Sequence, residues 1–504
     1  MDEPPKGASP TAAAAEKTDS GASEHEAVSA SPPSPPLRVV EFYSGIGGHH
    51  AALRLATTHG LGDSREGRKA FEVVRAFDMS EHAKKTYEAY WGEPAVNHRN
   101  ILFLAPDRDA AAYAEVCSAD LFVMSPPCQP YSRRKRSKHS SAKDRSGNED
   151  RRAWSLHHLI DQMAADDKFA PRMLLLENVL GFENSASFER LTKMFDAHNF
   201  VWQALVLSPH MQGVPNSRPR LFVIAKRVPR NGAAFPNPLW DRQIVQEADA
   251  DPERRRSQIE AAQTPVYWVE QGAIVKGLLA QGNVCDHGLV FTSGKVDAKE
   301  KPNASSTVEP NSCNETSKTL KSSRSSSDAG AAALGRFLAA SDNVDKTEYL
   351  VDALTLWRAG NAFDVVTSAS TRSHCFTKSY ASFHGGAGSL LSSKALSDEE
   401  VDRAYETYYN ERNALVEAAA PGKPDWSHVA ADRGGCPALE PLGIRYFSPQ
   451  EIACLLGFPA DFAFPPDVSR KQQYALLGNS LSVHNVALLL RYMMAKEGKN
   501  ATEN

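Results

Sequence analysis

The residues best equipped for chemistry are a thiol, a carboxylate and two guanidiniums, each at the edge of an apolar run. In Asp120-Leu-Phe-Val-Met-Ser-Pro-Pro-Cys128-Gln-Pro-Tyr-Ser132 a cysteine follows a short strand across two prolines. Proline fixes φ, so this turn holds its thiol with little slack. Ligands of open α/β sheets bind beyond the carboxyl ends of the strands, so Cys128 should face that crevice as a nucleophile. Cys117, Cys285, Cys436 and Cys454 lack such a setting and read as inert small hydrophobes. A second run, Met173-Leu-Leu-Leu-Glu177-Asn178-Val179, ends on a carboxylate. Burial raises its pKa and lets it donate or share a proton near neutral pH. Asn216-Ser-Arg218-Pro-Arg220 leads into a third run, and alternation puts both guanidiniums on one face, suited to an anion or a carboxylate.

A second cluster suits a nucleotide-like ligand. Leu37–Tyr43 reads as a buried strand, Ser44-Gly45-Ile46-Gly47-Gly48 as a turn, and a helix should begin near His49. Glycines let backbone N–H groups approach a ligand closely, although a tight structural turn alone would also use them. Asp78 ends the next strand, where an acidic side chain can accept hydrogen bonds from ribose hydroxyls. The Gly-x-Gly-x-x-Gly spacing of dinucleotide sites is absent, which favours S-adenosylmethionine over NAD.

These groups need a scaffold. Phe71–Phe77, Leu121–Met124, Met173–Leu176 and Leu221–Ala225 read as further strands, with helical patterns over Glu81–Tyr90 and Phe188–Phe195. The alternation predicts a doubly wound α/β domain. Yet a mean hydropathy of −0.43 over 504 residues looks dilute for one compact core. Of residues 1–36, 23 are Ala, Pro, Ser or Gly, which predicts a disordered tail. A Ser-rich stretch over about 298–330 predicts a disordered insertion, and Arg403–Cys436 a third loose segment after a short helix. Formal net charge is −4, which excludes gripping nucleic acid by bulk charge. No apolar run is long enough to span a membrane. Seven scattered cysteines without a Cys-x-x-Cys pair, and an acidic start, predict no metal cluster, no secretory leader and a reducing compartment. Two glycosylation sequons, at Asn303 and Asn314, read as incidental.

Thiol, carboxylate and paired arginines in this order, with the glycine turn upstream and Leu477-Gly-Asn479-Ser480-Leu-Ser-Val near the end, resemble the cytosine 5-methyltransferase family. Cys375-Phe-Thr-Lys378 with Tyr380, and Tyr446-Phe-Ser-Pro-Gln-Glu-Ile-Ala-Cys-Leu-Leu-Gly-Phe-Pro459, resemble its tRNA-aspartate branch, once classed as a second type of eukaryotic DNA methyltransferase. The resemblance covers about Arg38–Lys226 and Leu354–Met494. It implies a Rossmann-like S-adenosylmethionine-dependent methyltransferase fold with a small target-recognition domain. The expected organisation is a catalytic core over 37–226, a target-recognition region over 227–375, a part over 376–496 that completes both, and a tail over 497–504.

The resemblance also implies roles. Cys128 would attack ring position 6 of cytosine, Glu177 would hold N3 and the exocyclic amine, and Arg218 and Arg220 would orient the base and Glu177. Tyr43, Ser44, Gly45, Ile46, Gly47, Gly48, Asp78, Ile101, Leu102, Ser125, Asn479 and Ser480 would hold S-adenosylmethionine. Asn178, which would also support the nucleophile loop, the basic run Arg133, Arg134, Lys135 and Arg136, and Cys375, Phe376, Thr377, Lys378 and Tyr380 would meet substrate. Tyr43 stands where the family usually has Phe, and Asn216 where it usually has Gln. Little ordered sequence remains for groove readout, so a substrate recognised by shape is expected, the anticodon loop of tRNA-Asp at cytosine 38. The rivals are a DNA cytosine methyltransferase and a catalytically silent RNA-binding scaffold. A monomer is expected, in nucleus and cytoplasm.

Overall fold

In a computed structural model, residues 35–58, 70–92, 94, 96–131, 150–227, 289–292, 333–338 and 345–494 are described. Residues 1–34 of the expected tail over 1–36, the basic run Arg133–Arg136, the Ser-rich insertion and the tail over 497–504 lie outside these residues. So do Cys285 and most of the region 227–375.

The apolar runs become β1 (Leu37–Phe42), β2 (Phe71–Phe77), β3 (Val96–Asn97), β4 (Leu121–Met124), β5 (Met173–Asn178), β6 (Phe200–Leu207), β7 (Arg220–Arg227) and β8 (Leu289–Thr292). They form one mixed sheet in the order β3-β2-β1-β4-β5-β7-β6-β8. Strands β1 to β5 run parallel, and β7 is antiparallel to both β5 and β6. Because β1, β4 and β5 are apolar on both sides, helices cover both faces, as a parallel sheet requires.

On one face, α3 (Ala110–Cys117), α4 (Trp154–Ala165) and α5 (Ala186–Ala197) bury Phe42, Phe122, Leu174, Leu176 and Val223. The opposite face carries Val39, Val123, Leu175, Phe222 and Ile224 under α1 (Gly48–Thr58) and the last helix, Val483–Met494. Arg491 of that last helix donates to the carbonyl of Leu55. The last helix therefore packs against α1, which follows the first strand. Helix α2 (Glu81–Trp91) starts on Ser80, whose side chain accepts from the Ala83 N–H, one of the orphan donors of a helix start.

Beyond β8 come α6 (Gly335–Leu338), α7 (Ala353–Ala359), α8 (Asp398–Ala418), α9 (Trp426–Asp432), α10 (Pro449–Leu456), α11 (Arg470–Asn479) and the last helix, α12. A small sheet, β9 (Val365–Val366), β10 (Leu390–Ser392) and β11 (Ile444–Arg445), lies among them. The expected loose segment over Arg403–Cys436 is instead two helices, α8 and α9. Ser397 and Glu400 form a reciprocal capping box at the start of α8. Tyr408 is buried against Trp357, and Trp426 stacks on the same indole. Those aromatic contacts supply the burial that the polar composition of the segment had concealed. Among the described residues no helix is long and apolar enough to cross a membrane.

Candidate active site

Strand register assembles the catalytic cluster. Leu121 to Met124 of β4 pair with Met173 to Leu176 of β5, so the turn beginning at Ser125 leaves the sheet beside Glu177 and Asn178. On the other side Glu177 pairs with Phe222 of β7. Arg220, two residues earlier, shares the face of Phe222 and therefore of Glu177, and Arg218 continues that row. Alternation along β7 puts Arg220 on the face of Glu177, and Arg218 lies just ahead of the strand.

The carboxylate and the guanidinium meet directly, with Arg220 Nε 3.2 Å from Glu177 Oε1. Glu177 is 8% exposed, and burial pushes its carboxyl above the usual value, with Arg220 and then Arg218 pulling the other way. The partners respond unequally: Cys375 and Glu177 hold Arg220 above its usual value despite burial. Burial decides the outcome for Glu177 because one ion pair replaces only part of a carboxylate's lost hydration. Cys128 lies in the same field. Its thiol is raised by burial and then by Glu177, against Arg220 and Arg218. Burial and Glu177 together thus favour the protonated thiol.

Arg218 also has a structural task. At 2% exposure, its guanidinium donates to the carbonyls of Phe376 at 3.1 Å and Gly478 at 3.2 Å, and also to that of Ser480. A further contact reaches Cys375 Sγ at 3.4 Å. One fork therefore ties the Cys375–Lys378 segment to the Leu477–Ser480 turn. Arg220 makes the direct contact with Glu177, and Arg218 acts on it only through its charge.

Asn178, expected to support the nucleophile loop and to meet substrate, is buried and holds that loop. Its Nδ2 donates to the carbonyl of Pro126 at 3.2 Å, and its Oδ1 accepts from the Val179 N–H. It braces the Pro-Pro turn that carries Cys128. Phe376 and Tyr380, also expected to meet substrate, need a correction. They are 2% and 3% exposed, and Tyr380 packs against Phe376, Tyr446 and Tyr474. Their side chains anchor the loop rather than offer it a surface. Cys375 and Thr377 are half-buried and Lys378 is exposed, so these three remain at the cleft.

The glycine turn is equally constrained. Tyr43 (φ 57°), Gly45 (φ 55°) and Gly47 (φ 84°) are all left-handed. A Cβ on Gly47 would stand 2.7 Å from Trp91 Cδ1, so only glycine fits beside that indole. The indole in turn donates to the carbonyl of Ile46 at 3.1 Å. A Cβ on Gly48 would lie 2.9 Å from Leu481 Cγ and 3.2 Å from Ser480 Oγ. The last motif therefore closes onto the first, which places Ser480 beside the turn. Asp78 accepts from the N–H of Gly45 at 2.9 Å and of Ser80 at 2.8 Å, one on each oxygen. Each carboxylate oxygen keeps lone-pair capacity for a ribose hydroxyl.

S-adenosylmethionine is tested by this donor set. A Cβ on Gly45 would meet no atom within 4 Å, so the turn is open on one side. Around it stand the Asp78 carboxylate and the Ser125 and Ser480 hydroxyls. The Tyr43 phenol donates to Ser155 Oγ at 2.9 Å. Backbone donors, a carboxylate and hydroxyls fit a nucleoside with an amino-acid arm. Ile46 and Ile101 are buried in the core, so they can meet such a ligand only through their backbone, whereas Leu102 is half-buried and Asn479 exposed. Among the described residues no cluster of His, Cys, Asp and Glu is arranged to hold a metal.

Two residues at this site escaped sequence reading. His49, buried on α1, approaches Ser125 Oγ through Nε2 at 3.4 Å, and burial pulls its pKa down to about 3. Arg152 is held above its usual value chiefly by its hydrogen bond to Asp150, and it lies within electrostatic reach of Cys128. A histidine beside a glycine turn and an arginine in a basic stretch carried no distinguishing pattern.

Comparison with known proteins follows this geometry. The profile of the C-5 cytosine-specific DNA methylase family matches residues 37–494. A tRNA (cytosine(38)-C(5))-methyltransferase of Rattus norvegicus is 32% identical over 456 residues, 90% of this chain and 98% of that one. Its Homo sapiens counterpart, of the same name, is 30% identical over 460 residues, 91% and 99% of the two chains. A crystal structure of a Spodoptera frugiperda DNMT2 mutant shares the fold, with a TM-score of 0.55 at 23% identity over 91% of this chain and 100% of that one. The chain is a methyltransferase and belongs to the C-5 cytosine-specific DNA methylase family.

Proposed function

We propose that this protein methylates cytosine at ring position 5 in tRNA, at cytosine 38 of the tRNA-Asp anticodon loop, through a covalent adduct on Cys128. The observation that carries the chemistry is the nucleophile turn braced by Asn178 beside the Glu177–Arg220 pair. The names of the rat and human relatives, which match almost end to end, support tRNA as the substrate.

The residues act in sequence. Arg220 fixes Glu177, and Glu177, made easier to protonate by burial, shares a proton with N3 of an extruded cytosine. The base becomes electrophilic at C6, where Cys128 Sγ adds as the thiolate after losing its proton to solvent, and leaves electron density at C5. S-adenosylmethionine, which the glycine turn, Asp78 and the Ser125 and Ser480 hydroxyls would hold, would supply a sulfonium methyl group to this carbon and leave as S-adenosylhomocysteine. Removal of the C5 proton by a base then expels Cys128 Sγ, restoring the aromatic ring and the free enzyme. Thr377 and Lys378, at the rim beside Cys375, meet the RNA. The enzyme works as a monomer in nucleus and cytoplasm.

The test is methyl transfer from labelled S-adenosylmethionine to purified tRNA-Asp and to duplex DNA, offered separately and mixed. Label in the tRNA, lost when cytosine 38 is replaced by uridine, is expected. Label in the duplex alone would favour the DNA reading. No transfer to either, with RNA still bound, would favour the silent scaffold.

A further inference from the structure

Beside the catalytic cluster lies a cavity lined by Ser217, Arg372, His374, Cys375 and Gly386. Its volume is ≈ 230 Å³. Pockets that enclose a whole small ligand run to roughly 300–1,000 Å³, so this one suits a single group of a larger molecule. Its walls are fixed. The Ser217 N–H donates to the carbonyl of Ser373 at 2.8 Å, and the Thr377 N–H to that of Ala387 at 2.9 Å. Gly386 contributes open backbone, with φ at 72° and no atom within 4 Å of where a Cβ would stand.

The electrostatics of the cavity favour an anion. At its floor Cys375 Sγ receives Arg218 Nη1 at 3.4 Å and Arg220 Nη2 at 3.7 Å. Arg372 and His374 are exposed at the rim. The acidic groups nearby are each occupied: Asp364 is 3.7 Å from His374 Nε2 and accepts from Ser389 Oγ, and Glu177 is paired with Arg220. One exposed guanidinium, an imidazole and a hydroxyl thus line a space suited to a single small group, and the two buried guanidiniums stand behind it against Cys375 Sγ.

We propose that this cavity seats one phosphodiester of the RNA strand beside the target cytosine, with Arg372 as its principal ligand and Ser217 as a second donor. The assignment rests on the RNA reading above. A polymer with one negative charge per nucleotide enters the adjoining cleft, and guanidinium matches phosphate in a two-pronged geometry that an ammonium cannot reproduce. Arg372 then acts by holding the strand, so that extrusion of the neighbouring base is directed toward Cys128.

The experiment uses the full chain and an anticodon stem-loop of tRNA-Asp, intact or with one neutral methylphosphonate linkage at each loop position in turn. Binding is followed by fluorescence anisotropy between 50 and 200 mM salt for wild type, Arg372→Gln and Arg372→Lys. Losing one phosphate contact should lower the slope of log affinity against log salt by about 0.7 in Arg372→Gln, a salt penalty about 2.6-fold smaller over that range. Arg372→Lys should keep the wild-type slope. One linkage should exist whose neutralisation weakens wild type and leaves Arg372→Gln unaffected. An unchanged slope in Arg372→Gln, or equal losses in both proteins at every linkage, would overturn the assignment. A wild-type protein that binds and methylates only duplex DNA would overturn the RNA reading instead. The same slope comparison on that duplex, where one contact is worth about 0.9, would then decide the cavity separately.

Discussion

Replacing Gly478 with alanine tests the contact that joins the two halves of the active site. Gly478 lies in α11, and its face meets the main chain of the Cys375–Lys378 segment. A Cβ there would stand 2.6 Å from Lys378 Cα, and closer still to Lys378 N and Thr377 C. Ordinary contact begins near 3.4 Å, so the helix and the loop must separate by at least 0.8 Å. Neither partner can yield by rotating a side chain, because both are main chain. The loop is also held by the Arg218 fork at Phe376 and by the Thr377–Ala387 hydrogen bond. Overpacking of this kind costs about 1–3 kcal/mol of stability. A displacement near 1 Å at a reacting site costs about 10²-fold in rate. Single-turnover methyl transfer to the tRNA stem-loop should therefore fall about a hundredfold in Gly478→Ala, with the urea midpoint lowered and the protein still folded. A variant with wild-type rate and midpoint would refute the close packing and the coupling drawn from it.

Three further substitutions separate the roles within the site. Glu177→Gln removes the negative charge that helps hold the Cys128 thiol up, so the pH midpoint of Cys128 alkylation, read by peptide mass spectrometry, should move down while methyl transfer is lost. Arg220→Met removes an opposing charge and should move the same midpoint up; shifts in the reversed order would contradict the assigned electrostatics. Asn178→Ala leaves the buried Pro126 carbonyl without its donor, at about 1–3 kcal/mol. It should lower kcat while leaving S-adenosylmethionine affinity unchanged, and a change confined to cofactor affinity would argue against a brace on the nucleophile turn.

Much of the site is legible in the sequence because its parts are local. Ser-Pro-Pro-Cys128, Leu-Glu177-Asn178 and Arg218-Pro-Arg220 each follow or precede an apolar run, and strand periodicity fixes where such residues emerge. The alternating pattern foretells a doubly wound sheet for the same reason. What it conceals depends on partners far along the chain. Arg218 looks equivalent to Arg220 until Phe376, Gly478 and Ser480 are folded around it. Phe376 and Tyr380 look like surface residues of a substrate loop, yet they fill an aromatic cluster with Tyr446 and Tyr474. The polar stretch after Arg403 looks loose because Tyr408 and Trp426 pack on Trp357, more than forty residues earlier. One signal there was readable: Ser397-x-x-Glu400 is a capping-box pattern that marks the start of α8. The two-residue strands β3, β9 and β11 are too short for any periodicity to reveal.

The central claim, covalent cytosine methylation through Cys128, is tested most directly by trapping. A tRNA-Asp stem-loop with 5-fluorocytosine at position 38 lets the thiol add and the methyl transfer proceed, but leaves no C5 proton whose removal could release the enzyme. With S-adenosylmethionine present, the wild-type chain should form a protein–RNA adduct that survives denaturing electrophoresis and maps by mass spectrometry to Cys128. Cys128→Ala should form none. An adduct on another residue, or undiminished methylation of ordinary stem-loop by Cys128→Ala, would contradict it.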